Sequence, residues 1–233
     1  MRRCRTIVPL MLALVLVATA AAAADRPYNT RSNSIHLRTG DFELDGHSIY
    51  WRIREADFFG SVADFDDRRT GGTYTRMLTE RWGALVTASR FEGQQTTSFR
   101  DFVGPLGGEI SHTTTLEVSD IGVGGVFYLF RRDARVAPYV GAGLGVYSYD
   151  LREEGEFIDF DTFDLFFGSF RGTGEEVGVF WLVGVEVPIT SGFSIFGEAR
   201  WHDVQADLND DFFDFGEIDL SGQEISFGAA FRF

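Results

Sequence analysis

Six charged residues stand within strongly alternating stretches of the chain: Arg76, Arg90, Glu186, Glu198, Arg200 and Glu224. Arginine is a permanent cation whose fork of donors matches a carboxylate. Set on the inner side of neighbouring strands, these groups would pair, because a buried charge without a partner is costly. The expected product is an arginine–carboxylate network in the lumen of a barrel, acting as a plug or as a gate for ions. An eight-stranded barrel has an interior just wide enough to be filled by side chains, which favours the plug. A second group is acidic and aromatic. Asp159, Asp161 and Asp164 lie among Phe157, Phe160, Phe163, Phe166, Phe167 and Phe170, and Asp210, Asp211 and Asp214 lie among Phe212, Phe213 and Phe215. Clustered carboxylates suit hard cations, and these segments could equally meet a partner. The twelve-residue calcium loop with its central glycine is missing, so a solvated, self-repelling loop is the plainer reading. His36, His47 and His112 form no spaced ligand motif, and neither a metal nor a cofactor is expected.

The elements that must position these groups have a period of two. The last nine residues run Ile225-Ser226-Phe227-Gly228-Ala229-Ala230-Phe231-Arg232-Phe233, with apolar or aromatic groups at odd positions and small or charged ones at even positions. Successive side chains on a strand point to opposite faces, so this strand has one greasy and one polar face. The same reading predicts strands at 34–44, 70–78, 82–93, 114–130, 136–151, 176–189, 192–208 and 218–233. Their connections alternate in length. Thr79-Glu80-Arg81, the turn around Arg132-Asp133-Ala134, and Thr190-Ser191 are short, whereas 45–69, 94–113, 152–175 and 209–219 are long. Outer-membrane barrels keep short turns in the periplasm and long loops outside. The fold class expected is therefore all-β: an eight-stranded antiparallel up-and-down transmembrane β-barrel with both termini in the periplasm.

Faces are assigned on the later strands. Ile121, Val123, Phe127 and Leu129, then Val140, Ala142, Leu144 and Val146, are read as lipid-facing; so are the odd residues from Val177 to Val187 and from Phe193 to Trp201. The opposite faces carry Gly122, Gly124, Gly141, Gly143 and Gly145, and small residues inside a narrow barrel leave room for large ones such as Tyr128, Tyr139 and Tyr147. Aromatic girdles are expected from Trp82, Phe130, Phe193 and Phe233 at the short-turn end, and from Phe91, Trp181 and Trp201 at the long-loop end. The early strands are ambiguous in phase.

Composition fits export. Arg2, Arg3 and Arg5 precede an apolar run from 7 to 20 and an alanine-rich stretch, the layout of a secretory signal peptide. The expected organisation is a signal peptide over 1–24 and one barrel domain over 25–233. Cys4, the only cysteine, falls in the signal, which leaves no disulfide and no thiol chemistry. The net charge of −14 is a poor balance for binding nucleic acid. Every basic side chain apart from the histidines is an arginine. After the signal no apolar run reaches the ~20 residues of a spanning helix.

The run Ala137-Pro138-Tyr139-Val140-Gly141-Ala142-Gly143-Leu144-Gly145 resembles the proline-tyrosine-glycine strand of small outer-membrane β-barrel domains in the OmpA-like, porin-like superfamily. The ending from Phe227 to Phe233 resembles the assembly signal of these proteins. The resemblance implies that the outer-membrane assembly machinery recognises the last strand through Phe227, Phe231 and Phe233, by strand addition. It also implies outer-membrane lipids and lipopolysaccharide as surroundings and a monomeric state, and no peptidoglycan-binding domain is expected after the barrel. Arg200-Trp201-His202 is similar to the catalytic strand of lipid A deacylases. Those enzymes place a serine and then an asparagine where this chain has Val204 and Gln205, so the nucleophile is missing within reach of the base.

The reading is thus a non-enzymatic outer-membrane barrel with a structural or surface-interaction role, carried by long acidic-aromatic external loops. Its alternatives are a small-solute channel, needing ten or more strands or a loose lumen, and a lipid A-modifying enzyme using His202. The architectural rival is a soluble lipid-carrier barrel, whose apolar residues would face inward.

Overall fold

The computed structural model describes residues 31–104, 107–132 and 134–233; the signal segment lies outside them. Eight antiparallel strands close into a barrel: β1 (Asn33–Leu44), β2 (Asp67–Met77), β3 (Trp82–Val103), β4 (Glu109–Tyr128), β5 (Ala137–Ile158), β6 (Leu165–Pro188), β7 (Phe193–Asp203) and β10 (Gly222–Arg232). Each strand pairs with its neighbour around the ring, and β1 closes it against β10 over Ser34↔Arg232 to Leu44↔Gly222. Between β7 and β10 the chain inserts a small hairpin, β8 (Gln205–Asp207) with β9 (Glu217–Asp219). The stretches read as single strands over 192–208 and 218–233 are therefore each divided.

Hydrocarbon faces outward. Ile195 and Phe227 are 48% and 68% exposed on the outer surface, with Leu144, Val177 and Trp181 beside them. An outward apolar surface bounding a polar lumen reverses the soluble-carrier arrangement. Glycines sit where a ring needs their place. A Cβ on Gly184 would lie 2.3 Å from the Tyr139 ring, and one on Gly143 would lie 2.6 Å from Phe180.

Two further features depart from the sequence reading. The segments 94–113 and 152–175, read as loops, are largely strand: β3 and β4 pair out to Val103↔Glu109, and β5 and β6 out to Ile158↔Leu165. Outside lipid both faces of a strand are free to be polar, so no greasy stripe marks them. The barrel is consequently lopsided, with β3 to β6 rising well beyond β1, β2, β7 and β10. The third long loop, 45–69, holds a short helix, α1 (Ile49–Asp57), followed by a 3₁₀ turn (Val62–Phe65). Tyr50, Trp51 and Arg54 are its buried side chains. Trp51 Nε1 donates to the Asp219 carbonyl (2.9 Å), tying the helix to β9.

Candidate functional site

The pleat divides the predicted charges. Even positions of β6, β7 and β10 face the lumen, so Glu186, Glu198, Arg200 and Glu224 are buried there. On β2 and β3 the phase is opposite: Thr73, Thr75, Thr87, Ser89 and Phe91 are buried inside. Arg76 and Arg90 therefore point outward, and Arg90 pairs on the outer surface with Glu117 (2.8 Å) and Glu92 (3.4 Å). Phe91, expected in an interfacial girdle, is instead wholly buried in the bore. The inner face of these two strands mixes threonine and serine with Arg69, Leu85 and Phe91, and the outer face is small or mixed, so neither face advertises itself as apolar.

The lumen is built in layers. Nearest the short turns, Glu186 accepts from Arg232 Nη2 (2.7 Å) and from the Tyr128 hydroxyl (2.9 Å), with Arg132 Nε at 3.5 Å. In the middle, Arg38 Nε donates to Glu224 (3.0 Å), Arg200 Nη2 to Glu198 (2.8 Å), and both arginines bond the Thr87 hydroxyl. The Tyr139 hydroxyl donates to Glu198 (2.9 Å). Above them, Arg69 binds Asp120 and lies over the Phe42 ring, 4.6 Å from its centroid. The cavity left among Arg38, Thr73, Glu198 and Arg200 has about 10 Å³, which is room for one water. Arg38, Arg69, Asp120, Arg132 and Arg232 belong to this cluster although the sequence reading does not select them. Strand parity is the available signal, since Arg232 shares a face with Glu224.

His202 lies within the same lumen. Its Nδ1 is 2.9 Å from the Tyr147 hydroxyl, its Nε2 is 3.8 Å from Glu224, and its ring meets Phe42 edge-on. These neighbours hold an imidazole in place; they include no serine hydroxyl to activate.

An apolar lid covers the charged layers. Phe42, Phe91, Leu116, Val118, Tyr147, Trp51 and Phe65 form one buried apolar cluster, with the Phe42 and Phe91 rings 4.9 Å apart edge-to-face. Above the lid, facing outward, lies a cavity of about 240 Å³. Its walls come from five stretches: α1, β3 (Phe99), β5 (Phe157, Ile158), β6 (Phe170) and the 3₁₀ turn Asp210–Phe215 (Phe212, Phe215). Its floor is Tyr50, Arg54 and Glu153. The Tyr50 hydroxyl donates to Glu153 Oε1 (2.9 Å), and Arg54 donates to Gln95 (2.6 Å) and Thr114 (3.1 Å). Burial raises the pKa of Glu153, against the pull of Tyr50, Arg54 and Thr114. Beside the cavity His112 packs against Phe58, Phe99 and Phe157. Burial first, and the Arg54 charge second, push its pKa down to about 4.

The acidic segments are occupied locally. Asp159 Oδ1 accepts from the backbone of Asp161 (2.9 Å) and Thr162 (3.3 Å), closing the β5–β6 turn. Asp211 and Asp210 accept from the backbone N–H groups of Arg171 (2.8 Å) and Thr173 (3.2 Å), capping the edge of β6 above the membrane. Asp164 lies at the turn, and Asp214 is exposed in the 3₁₀ stretch. Among the described residues no three acidic, histidine or cysteine side chains converge as a metal ion would require.

The model of the outer membrane protein β-barrel domain matches residues 10–233. The chain belongs to that family. This barrel is accordingly an outer-membrane protein, and solved structures share its fold at low identity. The outer membrane protein OprG from Pseudomonas aeruginosa is 16% identical, with a TM-score of 0.56 over 87% of this chain and 96% of that one. Neisserial surface protein A is 12% identical, with a TM-score of 0.52 over 86% and 96%. Among curated proteins, none matches the chain in sequence. In this outer-membrane barrel the lipid band can be followed by register. Rows from Trp82, Phe127, Val140 and Val183 to Ala88, Ile121, Val146 and Val177 are apolar outward, and the next rows bring Arg90, Glu92, Glu117 and Asp150. That change of chemistry marks the outer boundary of hydrocarbon.

Proposed function

We propose that this outer-membrane barrel is a closed, non-enzymatic platform that works through its external mouth rather than through its bore. The observation that carries this reading is the contrast between the pocket among the lumen charges, with space for one water, and an outward-facing cavity of about 240 Å³, separated by a buried aromatic lid. The lumen cluster from Arg38 to Glu224 then serves as a structural plug, and His202 as one of its members. The outward Phe227, Phe231 and Phe233 fit a strand presented to the assembly machinery, with Phe227 and Phe231 on the lipid face of β10. Asp159, Asp161, Asp164, Asp210, Asp211 and Asp214 shape the external surface that a partner would meet.

Recording across planar bilayers tests the reading. The purified barrel is expected to give no steady unit conductance, and a reproducible open level would instead establish the small-solute channel. Incubation with labelled lipopolysaccharide tests the remaining alternative, and the acyl chains are expected to stay attached.

A further inference from the structure

The mouth cavity combines aromatic walls with an unbalanced floor. Glu153, Asp57 and Asp211 line it against a single cation, Arg54. That cation is already engaged: its Nη atoms donate to Gln95 and Thr114, its Nε lies 3.9 Å from Glu153 Oε1, and its guanidinium lies 4.8 Å from the centroid of Phe65. Glu153 is buried, yet both of its hydrogen bonds, from Tyr50 and Thr114, end on Oε1. Its Oε2 has no hydrogen-bond partner among the described residues. Phe58, Phe99, Phe157 and Phe212 present π-systems to the same space, and aromatic faces attract cations electrostatically.

We propose that this cavity binds a small hydrophobic cation, an aryl- or alkyl-ammonium, with its charged group toward Glu153 and its hydrocarbon among the phenylalanines. The proposal rests on the mouth being the working face of the barrel. Charge selects a cation over an anion, because two carboxylates remain after Arg54 is counted. Volume sets the size. A cavity of about 150 Å³ holds benzene, so this one accommodates a ligand of about ten non-hydrogen atoms. A neutral hydrocarbon would gain the walls but leave the excess of Glu153, Asp57 and Asp211 over Arg54 unbalanced.

Phenyltrimethylammonium and its neutral carbon isostere, tert-butylbenzene, match in shape and differ in charge. Each is to be measured by equilibrium dialysis against the full barrel in lipid nanodiscs, with protein-free nanodiscs as reference. The cation is expected to bind at least about ten-fold tighter than the isostere. Glu153→Gln should bring the two affinities together, and Asp57→Asn at the exposed rim should weaken the cation about two-fold while leaving the isostere unchanged. Equal binding of both probes to the unaltered protein overturns the cation and leaves the mouth as a binding site. Binding of neither overturns the site itself. The ratio in the unaltered protein is decisive by itself, so the test holds even where a Glu153→Gln chain fails to insert.

Discussion

Arg232 meets Glu186 at 2.7 Å inside the barrel, and Arg90 meets Glu117 at 2.8 Å on its outer surface. The chemistry and the distance are nearly the same, but the surroundings are not. Side chains of the inner pair are 2% and 0% exposed; those of the outer pair are 58% and 32% exposed. Inside, each charge has lost its water and depends on protein groups: Glu186 needs Arg232, Arg132 and Tyr128 together. Outside, water can replace either partner. Salt bridges counted by distance would rank these regions equal, whereas burial separates them.

The largest effect should follow from breaking the inner region. Glu186→Ala leaves Arg232 and Arg132 in the lumen without their shared carboxylate. Removing one member of a buried pair typically costs about 3–5 kcal/mol. Urea unfolding in lipid vesicles should show this as a large fall in midpoint, little relieved by salt because the site is out of reach of screening ions. A double replacement, Glu186→Leu with Arg232→Met, sharpens the comparison. It removes both charges at similar volume and should cost much less than the single change. If the single change is as mild as the double, the inner charges are hydrated and the plug reading fails.

A second effect, intermediate in size, belongs to the external hairpins. In an unfolded chain His112 would take its proton near pH 6.5; in the fold, burial among phenylalanines delays that to about 4. Between these values the unfolded state binds more protons, so stability rises with pH. The contribution is intact above 6.5 and is lost progressively as the pH falls to about 4. Allowing for hydration near the mouth, the loss should be about 2 kcal/mol. Hydrogen exchange on the outer ends of β3 to β6 is the measurement, compared at pH 7 and 4.5. His112→Phe should flatten the difference, and an unchanged profile in that variant would remove His112 as its source.

The same contrast between inside and outside explains what can be read from the chain. On β4 to β7 and β10 the membrane imposes an apolar outer face. Alternation such as Val177-Gly178-Val179-Phe180-Trp181 therefore discloses both the strand and its orientation. On β2 and β3, Thr73, Thr75, Thr87 and Ser89 face in while Tyr74, Arg76, Ala88 and Arg90 face out. Hydropathy does not separate those sets, and for that reason the sequence reading puts Arg76 and Arg90 on the wrong side. Above the lipid no face has to be greasy, so paired strands at 94–103 and 152–158 have the composition of loops. Glu153 stands in the run Arg152-Glu153-Glu154-Gly155-Glu156, where composition alone does not distinguish it. The parity of Tyr147, Tyr149 and Leu151, carried one step further, turns it inward. The cavity around it is not legible at all, because its walls converge from five stretches spread between residues 50 and 215.

The smallest effect is expected on the outer belt. Arg90→Ala removes a cation that touches Glu117 and Glu92 in solvent. Exposed pairs are worth about 0.2–1 kcal/mol, since water takes over their interactions and ordering two long side chains costs entropy. In vesicles of neutral lipid the unfolding midpoint should move little, and added salt should erase even that shift. Adding lipopolysaccharide makes the test more searching, because Arg90 stands just above the last apolar row, at the height of anionic headgroups. A cost confined to those vesicles would identify lipid phosphate as a partner of Arg90 alongside Glu117. A cost as large as that of Glu186→Ala in neutral lipid would mean that the belt is not solvated, and the distinction between the two regions would be lost.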